Sequence, residues 1–253
     1  MSDIGDTILS EIRALAPFQP RQAEIQGMEH AYRIQAEITA ALLHDQPGRR
    51  IAGYKIAFNK GSSMAYYGIS EPCYAPLFSD QIYASGTTLA MAGFNDLVIE
   101  PEIAVRLGSS LNGGEDEKAV AAAIGALMPA IEVMDPRGAF AHDPSAAATV
   151  AQRVHSKGAV IGAETPSADL DVADVRARLA INGTLIGEAK GAAPQTPLDA
   201  VAWLSRRLAA DGLPLDAGMI IMTGTHLPAR PTRELGEVVV TLEPLGAVSM
   251  TLV

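Results

Sequence analysis

The sequence predicts an α+β protein in which a helical N-terminal segment precedes one strand-rich, mixed domain. Two observations carry this. Apolar residues recur at helical spacing along much of the first 44 residues, whereas from residue 74 onward alternating or continuous apolar runs bounded by glycine dominate. Helical and strand patterns do not alternate strictly, which disfavours a doubly wound sheet. The composition break near residues 45–50 divides the chain into a helical segment, 1–48, and a strand-rich domain, 49–253.

The elements follow in order. Ile8, Leu9, Ile12 and Leu15 lie close to a 3.6-residue period, so 3–15 reads as a helix. A second helix spans 24–44 and stops at Pro47 and Gly48. "RRIAGYKIAF" reads as a strand and "SSMAYYG" as a short helix closed by Gly68. "DQIYASGTTL" and "DLVIEPEIAVRLG" are strand segments with glycine at turns. Residues 115–126 form an alanine-rich helix, followed by a strand in "MPAIEVMD". Val175, Ala177, Leu179 and Ile181 alternate, and Asn182-Gly183 suits a tight hairpin turn. "PLDAVAWLSRRLAADG" is a helix with Leu198, Val201, Leu204 and Leu208 on one face. "GMIIMTG" is a buried strand, and "GEVVVTLEPLGAVSMTL" a terminal hairpin.

Composition narrows the function classes. The 253 residues are 48% hydrophobic with a net charge of −10 and a pI near 4.9. A substantial core is expected, and a nucleic-acid or anionic-membrane partner is disfavoured because either selects a basic face. A lone cysteine, Cys73, precludes an internal disulfide and a cysteine-based zinc site. No apolar run approaches the ~18 residues of a membrane span, and the first residues lack a signal-peptide pattern. A soluble, cytoplasmic protein is the expectation. No glycine-rich phosphate loop follows a strand and opens a helix, so a nucleotide fingerprint is missing.

The chemistry concentrates in "IEPEIAV". Glu100 and Glu102 project from one face of a strand, with Pro101 facing away and implying an edge or bulge. Two carboxylates this close are exposed, protonated or neutralised by a cation. The flanking Leu97, Val98, Ile99, Ile103 and Val105 argue against full exposure. Glu132 lies in a similar apolar strand, so three carboxylates converge if the strands share a sheet. An oxygen-only set suits a hard divalent cation, Mg²⁺ or Mn²⁺. The alternative is a solvent-facing strand edge paired to Arg106 or Arg137.

"GYKIAF", "PLFSD", "IEPEIAVRLG", "PAIEVMD", "PLDAVAWLSRRLAADGLPLDAGMIIMTG" and "LGAVSMTL" occur in the order found in a known family. From about residue 25 to the C-terminus the chain resembles the 2-keto-4-pentenoate hydratases and 4-oxalocrotonate decarboxylases of the fumarylacetoacetate hydrolase superfamily. The resemblance implies a mixed β-roll or barrel core with helices around it. It implies Glu100, Glu102 and Glu132 as metal ligands and a 2-oxo acid as substrate, chelating the metal through its carboxylate and keto oxygen. The metal then stabilises an enolate or dienolate. Lys55 corresponds to the family's "G-x-K-x-G" lysine, which implies a role in binding the substrate carboxylate or moving a proton. Thr223, Gly224 and Thr225 match the loop that offers a hydroxyl and a backbone N–H to substrate. A symmetric homo-oligomer is also implied.

The sequence departs from the hydratase pattern twice. Cys73 stands where the family carries an aspartate, and Asp80 matches a different position. Gln152, Arg153 and His155 stand at an Asp-Asn-x-Ser stretch, which Ser156 rejoins only with a one-residue shift. These changes make His155 a candidate acid or base, with an ordinary pKa of about 6.5. They make Arg153 a candidate clamp for a second carboxylate. His226 is a weaker second candidate. Lys60, His30, His44 and His142 read as surface or structural, and Cys73 as a small buried hydrophobe.

The favoured function is therefore a metal-dependent lyase, hydratase-like, on a 2-hydroxydienoic acid of the kind met in aromatic catabolism. Decarboxylation, or C–C hydrolysis of an acylpyruvate, on the same site is one alternative. A non-catalytic metal-binding partner subunit is the other.

Overall fold

The computed structural model describes residues 1–167 and 171–253. The chain opens with α1 (Asp3–Arg13) and α2 (Gly27–His44). Ser2 caps α1 by accepting from the Gly5 N–H, and Asp3 and Asp6 occupy its first turn, where negative charge suits the helix dipole. β1 (Ile51–Ala57) and β2 (Cys73–Phe78) flank the short α3 (Gly61–Tyr67). β3 (Ile82–Ala84), β4 (Thr87–Leu89) and β5 (Val98–Leu107) lead to α4 (Glu117–Ala123) and β6 (Ile124–Met134). α5 (Ala146–Ala151), β7 (Ser156–Ile161), β8 (Thr165–Pro166), β9 (Arg176–Ile181) and β10 (Thr184–Lys190) follow. α6 (Pro197–Ala210), β11 (Ile220–Thr225), β12 (Arg230–Pro231), β13 (Gly236–Glu243) and β14 (Gly246–Leu252) complete the chain.

The strands form two mixed sheets. The larger has nine strands in the order β2-β1-β11-β5-β6-β7-β3, with β12 paired to β5 and β8 to β6; the smaller runs β10-β9-β13-β14-β4. β6 packs against β13 and β14, so the sheets share one core. Alternation in β9 gives the packing directly: Ala177, Leu179 and Ile181 turn inward and their neighbours outward. Asn182 and Gly183 both have positive φ, as a type I′ hairpin turn requires. Val201, Leu204 and Leu208 of α6 are fully buried, Leu198 partly.

A second apolar cluster joins Ile8 and Leu9 of α1 and Ile34 and Ile38 of α2 to Ala75 and Phe78 of β2 and Val150 of α5. Gln35 ties this layer down by donating to the carbonyls of Tyr74 and Val150, at 3.1 and 2.9 Å. The division expected at residue 48 falls between α2 and β1, and this cluster spans it.

Of the edge or bulge expected at Pro101, the structure has the second. β5 has partners on both sides, so Pro101 marks no edge; the register with β11 slips between Met222 and Thr225, on the side to which the Pro101 carbonyl points. A strand residue's N–H and C=O point to the same side, so the missing proline donor falls where the ladder is already interrupted. The alanine-rich helix ends at Ala123 rather than 126, and the following strand begins at once, earlier than "MPAIEVMD" suggests. Backbone pairing of β6 with β5 and β8 outweighs alanine's helix propensity there.

Candidate metal and substrate site

β5 and β6 are antiparallel neighbours whose register sets Glu100 directly opposite Glu132. Glu102 lies two residues on, hence on the same face. Each of the three offers one carboxylate oxygen, and these atoms lie within 4.8 Å of one another. Glu102 and Glu132 are almost fully buried, while Glu100 is partly open to a cavity of about 580 Å³.

Two other strands complete the floor. β1 pairs in parallel with β11, which brings Lys55 level with Met222. The Lys55 Nζ stands 2.5 Å from Glu132 Oε1 and 3.4 Å from the Met134 sulfur, with both charged side chains buried. On β11 the Gly224 N–H donates to Glu102 Oε2 at 2.9 Å. Gly224 has φ of +111°, and a Cβ there would meet Asn59 Nδ2 at 2.6 Å and Pro194 Cγ at 2.7 Å. Only glycine fits.

The electrostatics are those of an unbalanced cluster: three carboxylates face one ammonium. Burial first, then the charge of Glu132, pushes Glu100 up to about 8, with Lys55 opposing. The same causes, joined by Glu100, raise Glu102 well above the usual carboxylate range. Neither oxygen of Glu132 receives a well-directed hydrogen bond, even with Lys55 close by. Buried carboxylate oxygens without donors, in an oxygen-only set, fit a hard divalent cation. Neither arginine of the alternative reading reaches them. Arg106 pairs with Glu164, and Arg137 donates to Gln152 and to the Ala16 carbonyl.

Above this floor the cavity is walled by Phe58, Tyr67, Phe140, Val154, Leu227 and neighbouring residues, with His155 and His226 among them. Burial pushes the His155 imidazole down to about 3, helped by the charges of Lys55 and Arg137, and that of His226 down to about 4. Both are therefore neutral near pH 7, and the Nδ1 of each lacks a hydrogen-bond partner. Arg153, Val154 and His155 all have positive φ, between 48° and 60°. For β-branched Val154 that is a strained conformation, and it sits on the cavity wall.

The structure brings Lys55, Glu100, Glu102, His155, Gly224 and Thr225 to the cavity. It does not bring Arg153 there. That side chain is buried on the far side of the wall, donating from Nη2 to the Pro76 carbonyl at 2.9 Å and lying 4.2 Å above the Phe78 ring. The Thr223 hydroxyl is turned away as well, donating to the Ile103 carbonyl at 2.8 Å. Gln152 is buried and holds Arg137. Cys73 is fully buried, its thiol pushed up to about 12 by burial, so it is no nucleophile.

Sequence reasoning missed Asn59, whose Nδ2 donates to the Thr223 carbonyl at 2.9 Å and helps hold the turn around Gly224. "FNKG" carries only a loop signal. Phe58, Tyr67 and Phe140 were also missed, since no periodicity links residues that meet only in the folded chain.

With this geometry in view, similarity to known proteins becomes informative. Residues 56–253 match the fumarylacetoacetate (FAA) hydrolase C-terminal family, and the chain belongs to it. The 2-hydroxyhexa-2,4-dienoate hydratase of Comamonas testosteroni is 30% identical over 249 residues, covering 96% of this chain and 92% of the relative. A 2-keto-4-pentenoate hydratase of Burkholderia vietnamiensis is 30% identical over 207 residues, covering 81% of this chain and 79% of its own. Among solved structures, 4-oxalocrotonate decarboxylase from Pseudomonas putida G7, complexed with magnesium and adipate, superposes with a TM-score of 0.90 at 26% identity, covering 99% of this chain and 96% of that one. No helix among the described residues is long and apolar enough to cross a membrane.

Proposed function

We propose that this chain is a divalent-cation-dependent lyase for a 2-oxo acid, with hydration of a 2-hydroxydienoic acid as the favoured reaction. The observation that carries the reading is the convergence of Glu100, Glu102 and Glu132 at the floor of an open cavity, beside a buried lysine. The hydratase relatives support the choice of reaction. Every residue of the site comes from 49–253, the portion assigned to catalysis, with 1–48 braced against it.

Glu100, Glu102 and Glu132 would hold Mg²⁺ or Mn²⁺. Once bound, the cation supplies Lewis acidity at the substrate's 2-keto oxygen and so favours enolisation. The Gly224 N–H fixes one Glu102 oxygen, so the other would be the one to bind a cation. Lys55 places a cation beside the triad, suited to pairing with the substrate carboxylate or passing a proton. His155 and His226 stand at the wall as neutral imidazoles, each with a buried Nδ1 that lacks a hydrogen-bond partner, and are the groups placed there to exchange a proton with substrate. The apolar side chains around them limit water and strengthen these interactions.

Decarboxylation of an oxalocrotonate-like acid is the second reading, favoured by the near-complete superposition on the decarboxylase. The two reactions share an enol or enolate of the 2-oxo acid at this floor: loss of CO₂ leaves its electron pair there, whereas a 2-hydroxydienoic acid is itself the enol and takes a proton on carbon before water adds across the double bond.

The test is isothermal titration of metal-stripped protein with Mg²⁺ or Mn²⁺, with and without pyruvate or oxalate, followed by turnover on a panel of 2-oxo acids. Metal binding that strengthens with the oxo acid is expected, and Glu102→Gln should abolish it. No metal binding would overturn the reading. Intact binding without turnover would identify a non-catalytic member.

A further inference from the structure

We propose, resting on the reading above, that the substrate is a monocarboxylate 2-oxo acid whose far end is apolar and of aromatic size, held by Phe58, Tyr67, Phe140, Val154 and Leu227. A cavity of about 580 Å³ is of the size that takes a drug-sized ligand, roughly 300–1,000 Å³. The five- and six-carbon acids for which the relatives are named would occupy only its floor. In a chain only 5% aromatic, three aromatic side chains line this one cavity. Phe58 and Tyr67 pack with ring centroids 4.4 Å apart, and Phe140 stands edge-on to His155 at 6.4 Å. Phe140 is 54% exposed, one of few large apolar side chains left open to solvent among the described residues. An apolar ring left open at a cavity mouth gains from an apolar ligand.

The charges point the same way. A second carboxylate entering this space needs a cation. Lys55 stands at the floor beside Glu132, where it serves the carboxylate next to the keto group and not one at the far end. Arg153 and Arg137 face backbone carbonyls and Gln152 rather than the cavity. His155 and His226 carry no charge near pH 7. Lys60 lines the cavity too, but its side chain is exposed, where solvent screens its charge.

Titration of the Mg²⁺-loaded protein with 2-oxobutyrate, 2-oxo-4-phenylbutyrate and 2-oxoadipate tests this. The phenyl acid should bind at least about tenfold tighter than 2-oxobutyrate, as burial of a ring supplies. 2-Oxoadipate should bind no tighter than 2-oxobutyrate. Phe140→Ala should shrink the ratio between the phenyl and butyrate acids. Binding of 2-oxobutyrate with no gain from the ring, or a preference for 2-oxoadipate, would overturn the tail assignment alone. Failure of all three acids to bind would remove the 2-oxo-acid reading and the tail assignment with it.

Discussion

Glu100 shows at the level of one residue why the floor is poised for a cation. Its ordinary pKa is 4.5 and its folded value about 8, so the folded state keeps a proton that the unfolded state gives up between those values. Stability contributed by this group is complete below 4.5 and lost as pH rises through about 8. Glu100→Gln keeps the shape and deletes the titration. At pH 8 without metal it should raise stability by about 1–3 kcal/mol, several degrees in Tm, while weakening Mg²⁺ binding at least tenfold. Thermal unfolding with and without Mg²⁺ checks both halves; a variant destabilised without metal would show that Glu100 is held by donors instead. The residue was legible in the sequence because a carboxylate two positions from another, in an apolar strand, has few physical explanations. Arg153 was not legible in the same way. Its candidacy rested on charge and position, but direction is set by three successive left-handed residues that no local pattern announces.

Among the elements, β5 and β6 were readable as strands, yet their adjacency was only a condition of the argument. Pairing across the sheet is decided by non-local packing, and the apolar runs of "LVIEPEIAV" and "PAIEVM" suit several neighbours. The slip in β11 was less accessible still. It requires both the proline on β5 and a glycine at +111° on β11, which allows the Gly224 N–H to turn toward Glu102. Gly224→Ala should therefore act twice. The added Cβ meets Asn59 and Pro194 at under 3 Å, so unfolding free energy should fall by about 2 kcal/mol or more. Metal affinity should fall too, because the donor that orients Glu102 moves. Denaturant unfolding combined with Mg²⁺ titration separates the effects; unchanged metal affinity in a folded variant would show that Glu102 needs no such orientation.

For the whole molecule, two sets of buried groups oppose each other across the pH scale. His155 and His226 titrate near 6.5 when unfolded but at about 3 and 4 in the fold. Their contribution is present above 6.5 and is lost as pH falls through the folded values, because the unfolded chain binds the extra protons. Glu100 and Glu102 do the reverse, losing stability as pH rises above 4.5. Between about 4.5 and 6.5 the four slopes nearly cancel, each worth about 1.4 kcal/mol per pH unit at most. The metal-free protein should thus show a plateau there, with stability falling on both sides. Saturating Mg²⁺ removes the alkaline limb, since a cation held by the triad favours the ionised carboxylates, and it removes their compensation of the imidazoles as well, so that the acid limb then starts near pH 6.5. His155→Gln should make the acid limb shallower by about one proton without changing the effect of Mg²⁺ at pH 8. Chemical denaturation at intervals from pH 3 to 9, with Mg²⁺ or with chelator, measures both limbs. An alkaline limb that persists under saturating Mg²⁺ would mean that the carboxylates do not share the ion.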